Sequence, residues 1–341
     1  VYDHRSPRRR LELLTNSRLE TFRRCFLEHH YAYELGIRPL GADSAALYFG
    51  SLFHVGLAAW WLAHQYPAEQ LTAALEAMRP HAEDDFDFAR AEMLMRGYDA
   101  RWAGAEDIEV LAVEHQFEAP LRNPDNGRSS RTYRLAGKLD VLVLNRADQG
   151  VYVVEHKTSG EDISLGSPYW EQLRLDSQIS TYFAGTRALR YEPVGCLYDV
   201  IAKSKLAPKK ATPEEDRKYT REGRLYAAQR AEDETAEEYG LRLTEAIVAD
   251  PSRYYQRGFI VRLADEELEA ARDAWQSARL MREAARLGAY PRNPSACKRY
   301  GRMCGYHPVC TKQASLDDLT RYERVANVHP ELTLPEAVAA E

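Results

Sequence analysis

Asp140, Glu155 and Lys157 are the residues whose types and spacing could do chemistry together. Asp140 closes Gly137-Lys138-Leu139-Asp140 and leads into the apolar Val141-Leu142-Val143-Leu144. Glu155-His156-Lys157 follows directly on Val151-Tyr152-Val153-Val154. Residues 145–150 between the two apolar runs are polar and end on Gly150, which predicts a hairpin turn. Two antiparallel strands joined there bring Asp140 beside Glu155. Lys157 then falls on the same strand face as Glu155, because side chains alternate. Paired carboxylates hold a hard divalent cation through oxygen, and a neighbouring ammonium can orient a water or offset charge on a phosphate. Acidic and basic residues also occur on strands as plain solvated faces, so the triad needs company elsewhere in the chain.

Three further groups supply it. His54 lies in the apolar helical stretch Gly50-Ser51-Leu52-Phe53-His54-Val55-Gly56. Gln178 and Tyr182 are four residues apart, so both project from one helix face. Cys25 stands alone near the start, while Cys297, Cys304 and Cys310 cluster late as C-x6-C-x5-C. That spacing suits metal or cluster ligation better than a secreted disulfide framework. Over roughly residues 16–311 these signals, in this order, resemble the PD-(D/E)XK nuclease superfamily. Within it they resemble the RecB-like and CRISPR-adaptation-type exonucleases that carry a four-cysteine iron–sulfur cluster, some of them phage-encoded.

The resemblance implies an α/β fold with a restriction-endonuclease-like core, a central mixed sheet flanked by helices. N- and C-terminal helical regions would be joined by a metal-cluster site. It implies that His54, Asp140 and Glu155 hold Mg²⁺ or Mn²⁺, with the main-chain carbonyl of His156 as an extra ligand. Lys157 would position or help deprotonate the attacking water, and Gln178 and Tyr182 would hold the DNA backbone or the lysine. It also implies a [4Fe–4S] cluster on Cys25, Cys297, Cys304 and Cys310, stapling the N-terminal helix to the C-terminal segment. Two alternatives stay open: structural Zn²⁺ on the same four thiolates, or zinc on the three late cysteines with His307, releasing Cys25. Relatives usually show C-x2-C-x5-C, so the longer first gap is a departure that falls on Cys297. Cys196, in Val194-Gly195-Cys196-Leu197-Tyr198, is read as a buried strand residue. Glu114 is expected to pair with a cation such as Arg134 and is left outside the site.

With 341 residues, 45% hydrophobic and 29% charged, the chain reads as globular and long enough for two units. Its net charge of -6 argues against a protein that coats nucleic acid non-specifically. Local basic tracks exist at Arg8-Arg9-Arg10, Arg23-Arg24, Lys203 to Lys210, Arg217-Lys218, and Lys298-Arg299 with Arg302. The Arg-rich start lacks the apolar run of a secretory leader. The chain begins with Val, so its start codon is expected to lie upstream. Residues 44–68 contain no Asp, Glu, Lys or Arg, but His54 near their centre favours a buried helix over a membrane span. No phosphate-binding G-x-x-x-x-G-K-[ST] loop is present, so the chain is no motor by itself.

Helical spacing predicts a helix over 16–35 capped by Asn16 or Ser17, then three helices over 43–104. Strands are predicted from Ile108 through the two catalytic strands and again over 196–202, giving a β-β-β-α-β core. Residues 203–240 read as a mobile loop or lid, 234–250 and 263–287 as helices, and 291–310 as irregular. The tail after 311 reads as a short helix and a disordered end. The expected division is 1–105, an N-terminal helical region; 106–205, the nuclease core; 206–311, a C-terminal helical region; and 312–341, a tail. The expected function is metal-dependent DNA hydrolysis, on single strands or DNA ends, in the cytoplasm of a bacterial or phage-infected cell. Partners would be DNA, no membrane, and a helicase, integrase or recombination protein. The competing expectations are a catalytically silent DNA-binding module on the same fold, and a structural metal-cluster protein.

Overall fold

The apolar runs either side of residues 145–150 pair with each other at the centre of a mixed sheet. The structure is a computed structural model and describes residues 11–41, 45–104, 107–299 and 301–333. In chain order it runs β1 (Glu12–Leu14), α1 (Asn16–Arg24), α2 (Phe26–His29), β2 (Ile37–Pro39), α3 (Ala45–Leu62), α4 (Pro67–Met78) and α5 (Asp85–Trp102). The core follows with β3 (Ile108–Arg122), β4 (Ser129–Asn145), β5 (Val151–Ser159), α6 (Pro168–Leu173), α7 (Ser177–Ala188) and β6 (Pro193–Ala202). Then come α8 (Ala236–Ala249), β7 (Tyr255–Ile260), α9 (Ala264–Leu287) and shorter segments.

The sheet order is β1-β4-β5-β6-β7, with β3 on the other edge of β4. β4 and β5 are antiparallel from Leu144↔Val151 to Val141↔Val154, and the Asn145 amide bonds the Gly150 carbonyl at 2.9 Å to close the turn. β1 lies parallel to β4 at Glu12↔Tyr133 to Leu14↔Leu135. Since β3 takes one edge of β4, β1 and β5 share the other, and residues 136–140 between them lack a described strand partner there. The functional cleft opens at that parting.

Helices cover both faces, which is why β4, β5 and β6 read as nearly continuous apolar runs. On one face Trp60 and Trp61 of α3, Tyr98 of α5 and Tyr239 of α8 pack on Val141, Val154, Leu197 and Ile201. On the other, Trp170 of α6 with Ile179 and Phe183 of α7 pack on Leu142, Val153, Cys196 and Val200. Cys196 is fully buried in β6, as its setting predicted. Among the described residues, no helix is long and apolar enough to cross a membrane. A smaller cluster of Ala32, Tyr33, Ile37, Tyr306 and Tyr322 ties the N-terminal segment to the C-terminal one.

Several elements differ from their expectation. The helix over 16–35 breaks at Cys25, which is extended (φ -160°), and resumes as α2 and a π-helical turn over His30–Glu34. Its N-cap is Thr15, whose side chain accepts the Arg18 amide at 3.1 Å, rather than Asn16 or Ser17. The tail forms a strand, Tyr322–Arg324, paired with β2, where a helix was expected, because Tyr322 is drawn into the small aromatic cluster. Residues 203–235 are internally hydrogen-bonded rather than a bare loop. Arg8-Arg9-Arg10 and the end of the tail beyond residue 333 lie outside the described residues.

Candidate active site and metal centre

Pairing between β4 and β5 stops at Val141↔Val154, and a side chain takes over from the ladder. The next free amide, that of His156, donates to Asp140 Oδ2 at 2.8 Å. Asp140 Oδ1 faces His54 Nδ1 of α3 at 3.8 Å. Helix α3 approaches this closely because it carries Gly50 at the cleft, where even a Cβ would stand 3.3 Å from Thr158 Oγ1 of β5.

His54, Glu114 and Asp140 each offer a ligand atom, and these atoms lie within 4.8 Å of one another. Two carboxylates and an imidazole make a donor set that would suit a hard divalent cation. Glu114 is held there by strain: it sits at φ 48° in the middle of β3, the left-handed region that an L side chain rarely adopts. That residue resets the strand's alternation, since Val113 packs on the α3 face while Phe117, of the same parity, packs on the α7 face. Its carboxylate pairs with Lys138 of β4. Arg134, its expected partner, instead pairs with Glu118 at 3.3 Å.

Glu155 stands on the other side of Asp140. Its Oε1 is 2.6 Å from Lys157 Nζ, while Oε2 is buried with no hydrogen-bond partner among the described residues. Lys157 Nζ donates to Gln178 Oε1 at 2.8 Å, and Gln178 Nε2 donates to the Tyr182 hydroxyl at 2.5 Å. Helix α7 is set by Asp176, which accepts the Gln178 amide at 2.8 Å. It is seated on the sheet by Phe117, whose ring fills the space a Cβ would need at both Gly137 and Gly185.

Burial governs the charges. Glu155 is pushed up to about 8 and Glu114 to about 7, each by burial first and then by the Asp140 charge. Burial alone would lower Lys157, but the neighbouring Glu155 outweighs it and holds the ammonium above its usual range. His54 is lowered by burial, with Asp140 pulling the other way, although about 32% of its side chain remains accessible from the cleft. A neutral imidazole and carboxyls that resist ionisation form a site that a divalent cation would complete.

On the far face of β5, His156 Nδ1 lies 3.2 Å from Asp199 Oδ2 of β6. That oxygen also receives the Tyr98 hydroxyl at 2.5 Å and Arg257 at 3.2 Å. Burial would raise Asp199, but Arg257 and His156 hold it below the usual carboxylate range. The strand that bears Glu155 and Lys157 is thus anchored by a buried charged network that sequence reasoning did not find.

The cleft has a volume of about 680 Å³ and is lined by His54, Glu114, Asp140, Glu155, Lys157, Gln178 and Tyr182, with Lys203 at the end of β6. Every predicted catalytic and metal-ligating side chain therefore reaches one cavity, and Glu114 joins them. The four cysteines lie outside that cavity, near enough to one another to interact electrostatically. Cys25 and Cys310 raise the pKa of Cys304 in addition to burial, which takes it to about 11, and Cys25 and Cys297 act likewise on Cys310. Among the described residues, their sulfurs form no group of three within 4.8 Å.

A family model described as the PD-(D/E)XK nuclease superfamily matches residues 14–311, and the chain belongs to that superfamily. No curated protein matches the sequence. Among solved structures it is similar to "Crystal structure of SSO0001" at 15% identity, over 67% of this chain and 74% of that chain. The TM-score is 0.27, a likeness that carries no argument.

Proposed function

We propose that this chain is a metal-dependent deoxyribonuclease of the RecB-like, CRISPR-adaptation type, acting on single strands or DNA ends. Recombination, repair, phage DNA metabolism or CRISPR adaptation inside a bacterial cell is its setting, beside a helicase or integrase. The observation that carries the reading is the trio His54, Glu114 and Asp140 within 4.8 Å, in the same cleft as Glu155 and Lys157. These residues fit Mg²⁺ or Mn²⁺, held by His54, Asp140, Glu155 and Glu114 with the His156 carbonyl. Such an ion lowers the pKa of a bound water and offsets phosphate charge. Lys157, an ammonium braced by Gln178 and Tyr182, is suited to stabilising charge on the phosphate rather than to taking a proton.

The cysteines are assigned to a [4Fe–4S] cluster on Cys25, Cys297, Cys304 and Cys310, with a structural role. Cys304 packs against the aromatic cluster that ties the N-terminal segment to the C-terminal one, which supports a stapling role. Broad visible absorption in anaerobically purified protein, lost in Cys25→Ser, is expected; a colourless zinc protein would overturn the cluster.

The test of function is cleavage of end-labelled single- and double-stranded DNA with Mg²⁺, Mn²⁺ or EDTA, beside Glu155→Ala. Metal-dependent cleavage lost in the variant is expected, with a product ladder that gives polarity. Intact DNA in every lane would sink the enzyme reading.

A further inference from the structure

Residues 203–235 leave the sheet at the end of β6 and return where α8 begins. Main-chain bonds join their outgoing and returning halves: Glu234 N to Lys209 O at 2.8 Å, Thr212 N to Arg230 O at 2.9 Å, and Tyr226 N to Lys218 O at 3.1 Å. Thr220 N bonds Arg224 O at 2.8 Å, Tyr219 bridges Leu225, and Gly223 turns the chain at φ 77°. The base is fixed to α8, whose Tyr239 hydroxyl bonds Leu206 O at 3.1 Å and whose Arg242 bonds Ala207 O at 2.9 Å. This is a braced hairpin arm.

Its charges divide sharply between stem and tip. In the stem, Lys210 pairs with Asp233, Arg230 with Glu238, and Arg217 bonds the carbonyls of Thr212 and Ala231. At the tip, Lys218, Arg221 and Arg224 are exposed, outnumbering the one acid there, Glu222, and make no ion pair among the described residues. Tyr219 and Tyr226 there are 55% and 53% exposed. With Tyr219 opposite Leu225, alternation puts Lys218, Arg224 and Tyr226 on one face of the arm. The arm also starts at the cleft. Lys203 lines it, and the Lys203 amide bonds the carbonyl of Ser159 at 2.7 Å, at the end of the strand that bears Glu155 and Lys157.

We propose that the arm's tip is a binding site for an unpaired nucleic-acid strand outside the cleft. Lys218 and Arg224 meet phosphates while Tyr226 stacks on a base. This rests on the nuclease reading. An exposed tyrosine between cations matches a stacking platform for single strands, whereas a duplex keeps its base faces covered.

The test is binding, in EDTA so that nothing is cleaved, to a fluorescent single-stranded 20-mer and to its blunt duplex. Tyr226→Ala should weaken single-strand binding by about 5- to 150-fold and Tyr226→Phe should restore it, with duplex binding changed less. The double variant Lys218→Ala/Arg224→Ala should lower the salt slope on the single strand by about 1.4. Unchanged single-strand affinity in Tyr226→Ala, equal loss on duplex, or failure of the Phe variant to restore binding would each overturn the proposal. Thermal unfolding of each variant, expected to match the parent because these side chains are exposed, checks folding. If the parent chain cleaves DNA and Tyr226→Ala binds normally, only the arm fails. If the parent neither binds nor cleaves nucleic acid, the nuclease reading fails and the arm with it.

Discussion

Binding of Mg²⁺ or Mn²⁺ in the cleft should displace protons, and the number follows from two buried carboxyls. Glu155 stands at about 8 and Glu114 at about 7, each raised by burial and then by Asp140. A cation ligated by these oxygens needs them ionised. At pH 7 both carboxyls therefore carry much of a proton, Glu155 more than Glu114. An ion that draws in both releases roughly one to two protons at that pH, more at pH 6, and few once pH is well above 8. Affinity should fall by roughly 10- to 100-fold from pH 7 to pH 6. Calorimetric titration with Mn²⁺ in two buffers of equal pH and different ionisation enthalpy counts the protons. Fewer than about half a proton at pH 7, with affinity flat in pH, would refute the reasoning. The same shifts fix a stability trend. Both folded-state values are raised, so the stability they give is full below the ordinary carboxylate value of 4.5, is lost progressively as pH rises from there, and is gone once pH has passed the folded values of about 7 and about 8. Without metal the melting temperature should therefore fall over that whole range and level off above it, and saturating metal should reverse the fall.

Glu155→Gln and Lys157→Ala should each lower the cleavage rate by about 10²- to 10³-fold at saturating metal, read from single-turnover assays. Glu114→Gln should weaken Mn²⁺ binding at least tenfold, and retained affinity would return Glu114 to a purely structural role. Asp199→Ala removes the buried carboxylate on which Tyr98, His156 and Arg257 converge, the Asp199 and Arg257 side chains being 0% and 7% exposed. It should cost about 3–5 kcal/mol in denaturant unfolding, and a loss below about 1 kcal/mol would contradict the network. Gly185→Ala places a Cβ 2.5 Å from the Phe117 ring and should cost about 1–3 kcal/mol. Adding Phe117→Leu should recover part of that loss; no recovery would mean the ring is not what seats α7.

The β4–β5 hairpin was legible because nothing interrupts its count. From Asn145 and Gly150 the pairing steps evenly to Val141↔Val154, so the next position sets Asp140 against Glu155. Helix α7 was legible for a similar reason: its i,i+4 pair needs only local geometry. The arm was not. Its halves pair through main-chain bonds between residues with little apolar alternation, so composition alone read it as a loop. The tail misled likewise, since the pairing of Tyr322–Arg324 with β2 joins segments far apart in sequence.

Glu114 shows where counting fails. The β3–β4 hairpin starts at Arg122↔Ser129, and an even count from there would set Glu114 against Gly137. Between Pro120 and Arg122 the register slips, so that Pro120 faces Arg134 and Val113 faces Val141. Pro120 has no amide to give the ladder, and β3 is an edge strand that tolerates the interruption. That slip carries Glu114 opposite Asp140, and the positive φ at Glu114 then lets its carboxylate enter the cleft. The residue was visible from the start as an acid on a strand. Its place in the cleft depends on a bulge that no periodicity encodes, and the positive φ at Glu114, once seen, singles it out from the other acids on the strands more clearly than its identity does.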